Sequence, residues 1–138
     1  MKVLFVDDES VFLDVILRRM KKRNIDAHGA TDGDRAIELM EKNNFDVAVL
    51  DVKMPGSRSG IELLKEIKVR WPLIEVIMLT GHAMLEAARD GMENGAFDYI
   101  VKPADTDELF YKINDAYQKK SLQEMKIRHI DSIMKDKK

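Results

Sequence analysis

Four short apolar runs punctuate the chain: Val3-Leu4-Phe5-Val6, Val47-Ala48-Val49-Leu50, Val76-Ile77-Met78-Leu79 and Tyr99-Ile100-Val101. Each is continuous and rich in β-branched residues, the pattern of strands buried on both faces of a parallel sheet. A weaker run, Asp26-Ala27-His28-Gly29-Ala30, suits an edge strand. Between the runs the apolar positions change to helical spacing. They fall at Val11/Phe12, Val15/Ile16 and Met20, then Ala36/Ile37 and Met40, then Ile61, Leu64, Ile67 and Trp71. Leu85, Ala88 and Met92 follow, and finally Leu109, Ile113 and Ala116/Tyr117. Strand and helix therefore alternate five times, which predicts right-handed crossovers and an open, doubly wound α/β fold with a five-stranded parallel sheet.

Turn chemistry supports these boundaries. Thr31-Asp32-Gly33 offers a cap before the second helix, Asn43-Asn44 closes it, Trp71-Pro72 stops the third and Asn94-Gly95 the fourth. Beyond Tyr117 the apolar spacing continues through Leu122, Met125, Ile130 and Ile133/Met134 with no Pro or Gly, so the last helix is expected to project past the domain.

At 138 residues, 45% hydrophobic and 35% charged, the chain is one ordinary domain with a short appendage; two full-sized domains and disorder are excluded. The absence of cysteine excludes a disulfide framework, a thiolate metal site and a cysteine nucleophile, and fits a reducing compartment. Acid follows the first apolar run at once, so that run is no signal-peptide core, and nothing approaches a membrane span. The net charge of −2 hides an asymmetry: residues 1–118 carry 16 Lys and Arg against 22 Asp and Glu, and residues 119–138 carry 7 against 3. This is an acidic domain with a basic helical extension, not a surface that binds nucleic acid by bulk charge. The basic run Arg18 to Arg23 reads as the solvated end of the first helix, where cations suit the macrodipole. His28, His82 and His129 lack a paired metal-ligand spacing, and most of the nine methionines fall in apolar stripes.

In an open α/β sheet, ligands bind beyond the carboxyl ends of the strands. There the sequence places Asp7, Asp8 and Glu9 after the first strand, Asp51 at the end of the third, Thr80 at the end of the fourth and Lys102-Pro103 at the end of the fifth. Single aspartates at strand ends are usually turn formers. Three carboxylates brought together repel at roughly 4 kcal/mol per pair at 4 Å, which a hard divalent cation such as Mg²⁺ would relieve. With a lysine and a threonine beside them, they describe a site for a phosphoryl group.

These residues make the sequence resemble the receiver domain of bacterial two-component response regulators over residues 1–118. The matching pieces are Val6-Asp7-Asp8-Glu9, Leu50-Asp51-Val52-Lys53-Met54-Pro55-Gly56, Gly60-Ile61-Glu62-Leu63-Leu64, Met78-Leu79-Thr80-Gly81 and Gly95 through Pro103. The resemblance implies a flavodoxin-like (βα)5 fold with strand order 2-1-3-4-5. It implies that Asp51 accepts a phosphoryl group from a sensor histidine kinase or phosphotransfer protein. Asp7, Asp8, Asp51 and the Lys53 carbonyl would hold Mg²⁺, and Thr80 and Lys102 would contact the phosphoryl oxygens. Thr80 and Tyr99 would form the switch, and the Lys102-Pro103 bond would be cis. A cytoplasmic location, a downstream output domain or target, and a phosphorylation-linked homodimer belong to the same implication. The family's usual glycine eight residues past the acceptor stands nine past it here, so the loop Gly56-Ser57-Arg58-Ser59-Gly60 is one residue longer. Lys53 and His82, each two residues beyond a site residue, match positions that influence phosphoryl lifetime in the family.

Two other functions compete. A phosphohydrolase with an aspartyl-phosphate intermediate would use Asp7 as nucleophile and Glu9 as second acid, but needs a cap that the sequence lacks and leaves Asp51 idle. An interaction module that is never phosphorylated would have no use for the full set of site residues.

Overall fold

A computed structural model describes residues 1–54, 56 and 58–136, with His82 described by its backbone alone. The chain runs β1 (Lys2–Val6), α1 (Ser10–Lys21), β2 (Asp26–Ala30), α2 (Gly33–Lys42), β3 (Val47–Asp51), α3 (Gly60–Arg70), β4 (Glu75–Thr80), a 3₁₀ turn at His82–Met84, α4 (Leu85–Glu93), β5 (Asp98–Val101) and α5 (Thr106–Asp136). The strands form one sheet in the order β2-β1-β3-β4-β5, all parallel. The weak second run is indeed an edge strand. Strand order reverses at β1, between β2 and β3, and this opens a crevice at the carboxyl ends of β1 and β3.

Alternation along each strand divides the core in two. Leu4, Val6, Ala48, Leu50, Val76 and Met78 face α2 and α3, where Ile37, Met40, Leu63, Leu64 and Ile67 cover them. Val3, Phe5, Val47, Val49, Ile77 and Leu79 face α1 and α5, under Leu13, Ile16, Met20, Leu109 and Ile113. Because both faces are covered, the strands read as continuous apolar runs. Asp32 caps α2 by accepting from the Arg35 N–H at 2.8 Å, and Ser59 caps α3 by accepting from Glu62 N–H at 3.2 Å. Gly95, at φ +100°, supplies the left-handed residue just past α4.

Two features depart from the sequence pattern. β4 begins one residue before its apolar run, at Glu75, which is only 4% exposed. Its carboxylate is held by Lys119 of α5 at 3.3 Å and Lys68 of α3 at 3.9 Å, partners on other elements that the periodicity of one strand does not reveal. The basic run at the end of α1 is not simply solvated. Arg23 pairs with Asp107 and lies over the Phe110 ring at 4.7 Å, and Arg19 donates to the Thr106 hydroxyl at 2.9 Å. These cations fasten α1 to the first turn of α5.

α5 continues well past the sheet, as the uninterrupted spacing predicts, to a length of about 46 Å for its 31 residues. Its last buried residue is Ala116. Lys120, bound to Asp46 at 3.1 Å and to Glu124 at 3.1 Å, marks where the helix leaves the domain. Leu122, Met125, Ile127, Ile130, Ile133 and Met134 beyond it are exposed.

Candidate functional site

The parallel register delivers the polar residues to one edge. Asp7 leaves β1 with its backbone N–H still bonded to the Ala30 carbonyl at 3.1 Å, so the sheet fixes its position. Asp51 is the last residue of β3, fully within the sheet. Asp7 is 1% and Asp51 7% exposed, whereas Asp8 is exposed at the rim. Oxygens from all three carboxylates lie within 4.8 Å of one another, a cluster able to hold a metal ion.

Each buried acid uses one oxygen locally and offers the other to the same cation. Asp7 Oδ1 accepts from Glu9 N–H at 2.9 Å, and Asp51 Oδ1 accepts from Lys53 N–H at 3.2 Å. Lys102 Nζ donates to Asp7 Oδ2 at 2.8 Å and to Asp51 Oδ2 at 3.2 Å. One ammonium thus bridges the two buried carboxylates, with the Asp8 carboxylate clustered beside them, and the site keeps surplus negative charge. Burial and the neighbouring Asp7 carboxylate push the Asp51 pKa above its ordinary value, against the opposing pull of Lys102 and the Lys53 N–H. Burial works against the Lys102 charge too, but the bonds and charges of Asp7 and Asp51 outweigh it and raise its pKa.

Lys102 is aimed by two contacts. Its backbone N–H donates to the Thr80 carbonyl at 2.7 Å, and its ammonium lies 4.9 Å from the centre of the Phe12 ring. The Lys102-Pro103 peptide bond is cis. Phe12 was legible in the sequence only as a core position of α1. The same side chain also forms a cation–π wall of the site.

The other sequence-selected residues lie around this cluster. Lys53 contributes its backbone, and its side chain is exposed. Thr80 is fully buried, with its single hydroxyl proton shared between the Gly81 carbonyl at 3.1 Å and the Met84 carbonyl at 3.0 Å. Tyr99, on the edge strand β5, is 40% exposed. Glu9 lies outside the metal-capable cluster and is exposed. Pro55, Ser57 and the His82 side chain lie outside the described residues. The mouth of the site is an open cavity of about 570 Å³ whose lining includes Asp8, Asp51, Lys53, Met84 and Lys102.

Residues 3–114 match the family profile of the response regulator receiver domain. The chain belongs to that family. The regulatory protein AtoC of Escherichia coli K12 is 33% identical over 129 residues, which cover 94% of this chain and 28% of AtoC. The DNA-binding transcriptional regulator NtrC of the same strain is 38% identical over 106 residues, 77% of this chain and 22% of NtrC. The chain spans about a quarter of the length of the curated relatives it matches. Among solved structures, a receiver domain protein from Clostridium thermocellum superposes with a TM-score of 0.84 at 35% identity, covering 88% of this chain and 98% of its own. The receiver domain of NtrX from Brucella abortus gives 0.80 at 32% identity, covering 84% and 98%. As a response regulator receiver domain, residues 3–114 are a phosphoryl acceptor of two-component signalling.

Proposed function

We propose that residues 1–118 act as a Mg²⁺-dependent switch that takes a phosphoryl group onto Asp51 from a sensor histidine kinase or phosphotransfer protein in the cytoplasm. Residues 119–138 would carry the consequence toward an output domain or target. The single observation that carries this reading is the surplus of charge at the carboxyl edge: two buried carboxylates and one exposed one cluster together, and among the described residues one ammonium, Lys102, bonds the buried two.

That donor set suits a hard divalent cation, with Asp7, Asp8, Asp51 and the Lys53 carbonyl as the groups that would hold it. When bound, Mg²⁺ would neutralise charge on the transferring phosphoryl oxygens. The chain's own residues do the rest. Asp51 Oδ2 faces Lys102 and is the oxygen placed to attack, since Oδ1 is engaged by the Lys53 N–H. Lys102 starts as a bridge between two acids and is already in place to pair with a phosphoryl oxygen. Thr80 must give up its bonds to the Gly81 and Met84 carbonyls to reach that group, which would release the start of the segment leading into α4. The space it vacates is the one Tyr99 would take, remodelling the surface near α4, and a phosphorylation-linked homodimer would follow from that change. The switch can only shift a balance between two states that already exist. Slow hydrolysis of its own aspartyl phosphate would reset it.

The test is intact mass after incubation with Mg²⁺ and acetyl phosphate. Wild type is expected to gain one phosphoryl group only when Mg²⁺ is present, and Asp51→Ala none. A gain retained in Asp51→Ala, or turnover of a generic phosphomonoester, would overturn the assignment and favour Asp7 and Glu9 as the reactive pair.

A further inference from the structure

The β3–α3 loop is one residue longer than the family pattern, and the longer segment carries Arg58, which lies at the centre of a chain of ion pairs. Its guanidinium bonds Asp34 in the first turn of α2 and donates through Nε to Glu66 of α3 at 2.8 Å. Glu66 accepts in turn from Arg70 at 3.2 Å, and Arg70 donates to Glu41 at the far end of α2 at 2.9 Å. The sequence Asp34, Arg58, Glu66, Arg70, Glu41 alternates in charge and joins two neighbouring helices that cover the same face of the sheet. Linked charges on several elements hold geometry better than an isolated surface pair.

Two glycines show how closely the loop is seated. A Cβ on Gly33, the first residue of α2, would come within 2.9 Å of Arg58 Cβ, so the loop lies directly against the helix start. A Cβ on Gly60 would come within 2.1 Å of the Asp51 carbonyl oxygen, and Gly60 N–H donates to the Val52 carbonyl at 3.1 Å. The loop therefore meets the acceptor at both ends: Lys53 N–H donates to the side-chain Oδ1 of Asp51 on one side, and Gly60 abuts the Asp51 carbonyl on the other. Between these ends Arg58 is half-buried, with 30% of its side chain exposed.

We propose that Arg58 is a positioning residue for the phosphoryl-acceptor site. By clasping the lengthened loop to α2 and α3 it holds the Lys53 backbone where the metal and Asp51 require it. This rests on the reading of Asp7, Asp8 and Asp51 as the Mg²⁺ site. The clasp compensates for the extra residue, which would otherwise give the loop more conformations and cost entropy when the metal binds. Removing groups that orient ligands without touching the metal typically costs about 10–100-fold in metal affinity or activity.

The experiment compares wild type, Arg58→Ala, Arg58→Lys, Glu66→Gln and the Arg58→Ala/Glu66→Gln double variant. Mg²⁺ affinity is read from NMR shifts of the Asp7 to Glu9 amides. Amide exchange is followed at Lys53, Met54 and Gly56 in metal-free protein, and the rate of phosphoryl gain from acetyl phosphate is measured against Mg²⁺ concentration. Arg58→Ala is expected to weaken Mg²⁺ binding about tenfold, to speed exchange at the three amides, and to leave the rate at saturating Mg²⁺ within about twofold of wild type. Arg58→Lys should recover part of the affinity, because it keeps the charge but not the two-armed fork. The double variant should be no worse than Arg58→Ala, since both changes break one network. Unchanged Mg²⁺ affinity in Arg58→Ala, even with a lowered melting temperature, would overturn the proposal and leave Arg58 a stabilising residue only. Strict additivity in the double variant would also overturn it. Failure of wild type to bind Mg²⁺ would overturn the reading of the site itself, a different result from a wild type that binds and an Arg58→Ala that binds as well.

Discussion

At the carboxyl ends of the strands Asp7 and Asp51 share one ammonium, Lys102, with the Asp8 carboxylate clustered beside them, whereas at the amino ends the carboxylates of Asp46 and Glu75 meet three, Lys68, Lys119 and Lys120. Both edges take acid out of water: Glu75 is 4% and Asp51 7% exposed. The difference lies in the balance. Asp46 also accepts from the Lys2 backbone N–H at 2.7 Å, so the amino edge is saturated, and burial with the nearby Lys119 lowers the pKa of Lys68 against the pull of Glu75. The carboxyl edge is left short of positive charge, and there burial raises the pKa of Asp51. Burial of acid alone therefore does not mark a functional site. An unbalanced acid cluster beside an open cavity does, because that charge is carried at a cost which a cation or a chemical step can relieve.

The sharpest way to break this comparison is to remove the one cation from the unbalanced edge. Lys102→Ala leaves Asp7 and Asp51 facing each other and should destabilise the metal-free protein by about 3 kcal/mol, the low end for breaking a buried pair because Lys102 is partly exposed. Mg²⁺ should recover much of that loss. Urea denaturation in EDTA and in MgCl₂ gives both numbers, and an equal loss in the two buffers would mean that the cluster does not take the metal.

Glu75→Gln tests the balanced edge. It strips Lys68 and Lys119 of their shared partner and should cost about 1–2 kcal/mol, with no dependence on Mg²⁺. A marked Mg²⁺ dependence here would erase the distinction between the edges. Asp51→Asn should act in the opposite direction and stabilise the metal-free protein by about 1 kcal/mol, about 4 °C for a domain of this size. Because the Asp51 pKa is raised on folding, its ionised form burdens the folded state at neutral pH and ceases to do so once pH falls below the ordinary aspartate range. The advantage of Asn should therefore be present at pH 7 and shrink on acidification; a constant or growing advantage would contradict the raised pKa. The smallest effect belongs to Lys120→Ala, which should cost about 0.5 kcal/mol and let the extension fray, seen as faster amide exchange beyond residue 120 with the domain unaffected.

Much of the site was legible before its geometry was known. Asp7, Asp8, Asp51, Thr80 and Lys102 each follow an apolar run, and a parallel sheet must bring the ends of its strands to one edge. The distribution of burden among them was not. Sequence treats Asp7 and Asp8 as an equal pair, but Asp7 is still tied to the sheet through the Ala30 carbonyl and is buried while Asp8 lies at the exposed rim, so the unfavourable charge concentrates on Asp7 and Asp51. Arg58 and Glu75 were missed for one reason. Both depend on partners from other elements, Asp34 and Glu66 for the first, Lys68 and Lys119 for the second, and no local pattern encodes such a pairing. The basic run of α1 was read as solvated on the same local grounds, although its Arg23 finds Asp107 across 84 residues.

What the sequence determined by itself is the alternation of strand and helix, the cap at Asp32, the long final helix and the set of polar residues at one sheet edge, because these follow from periodicity and from short-range hydrogen bonding. What only the tertiary structure decided is which acids are buried, which cation each one meets and where a lengthened loop is held. Those depend on charges brought together from distant parts of the chain, where desolvation and pairing nearly cancel and a few ångströms decide which prevails.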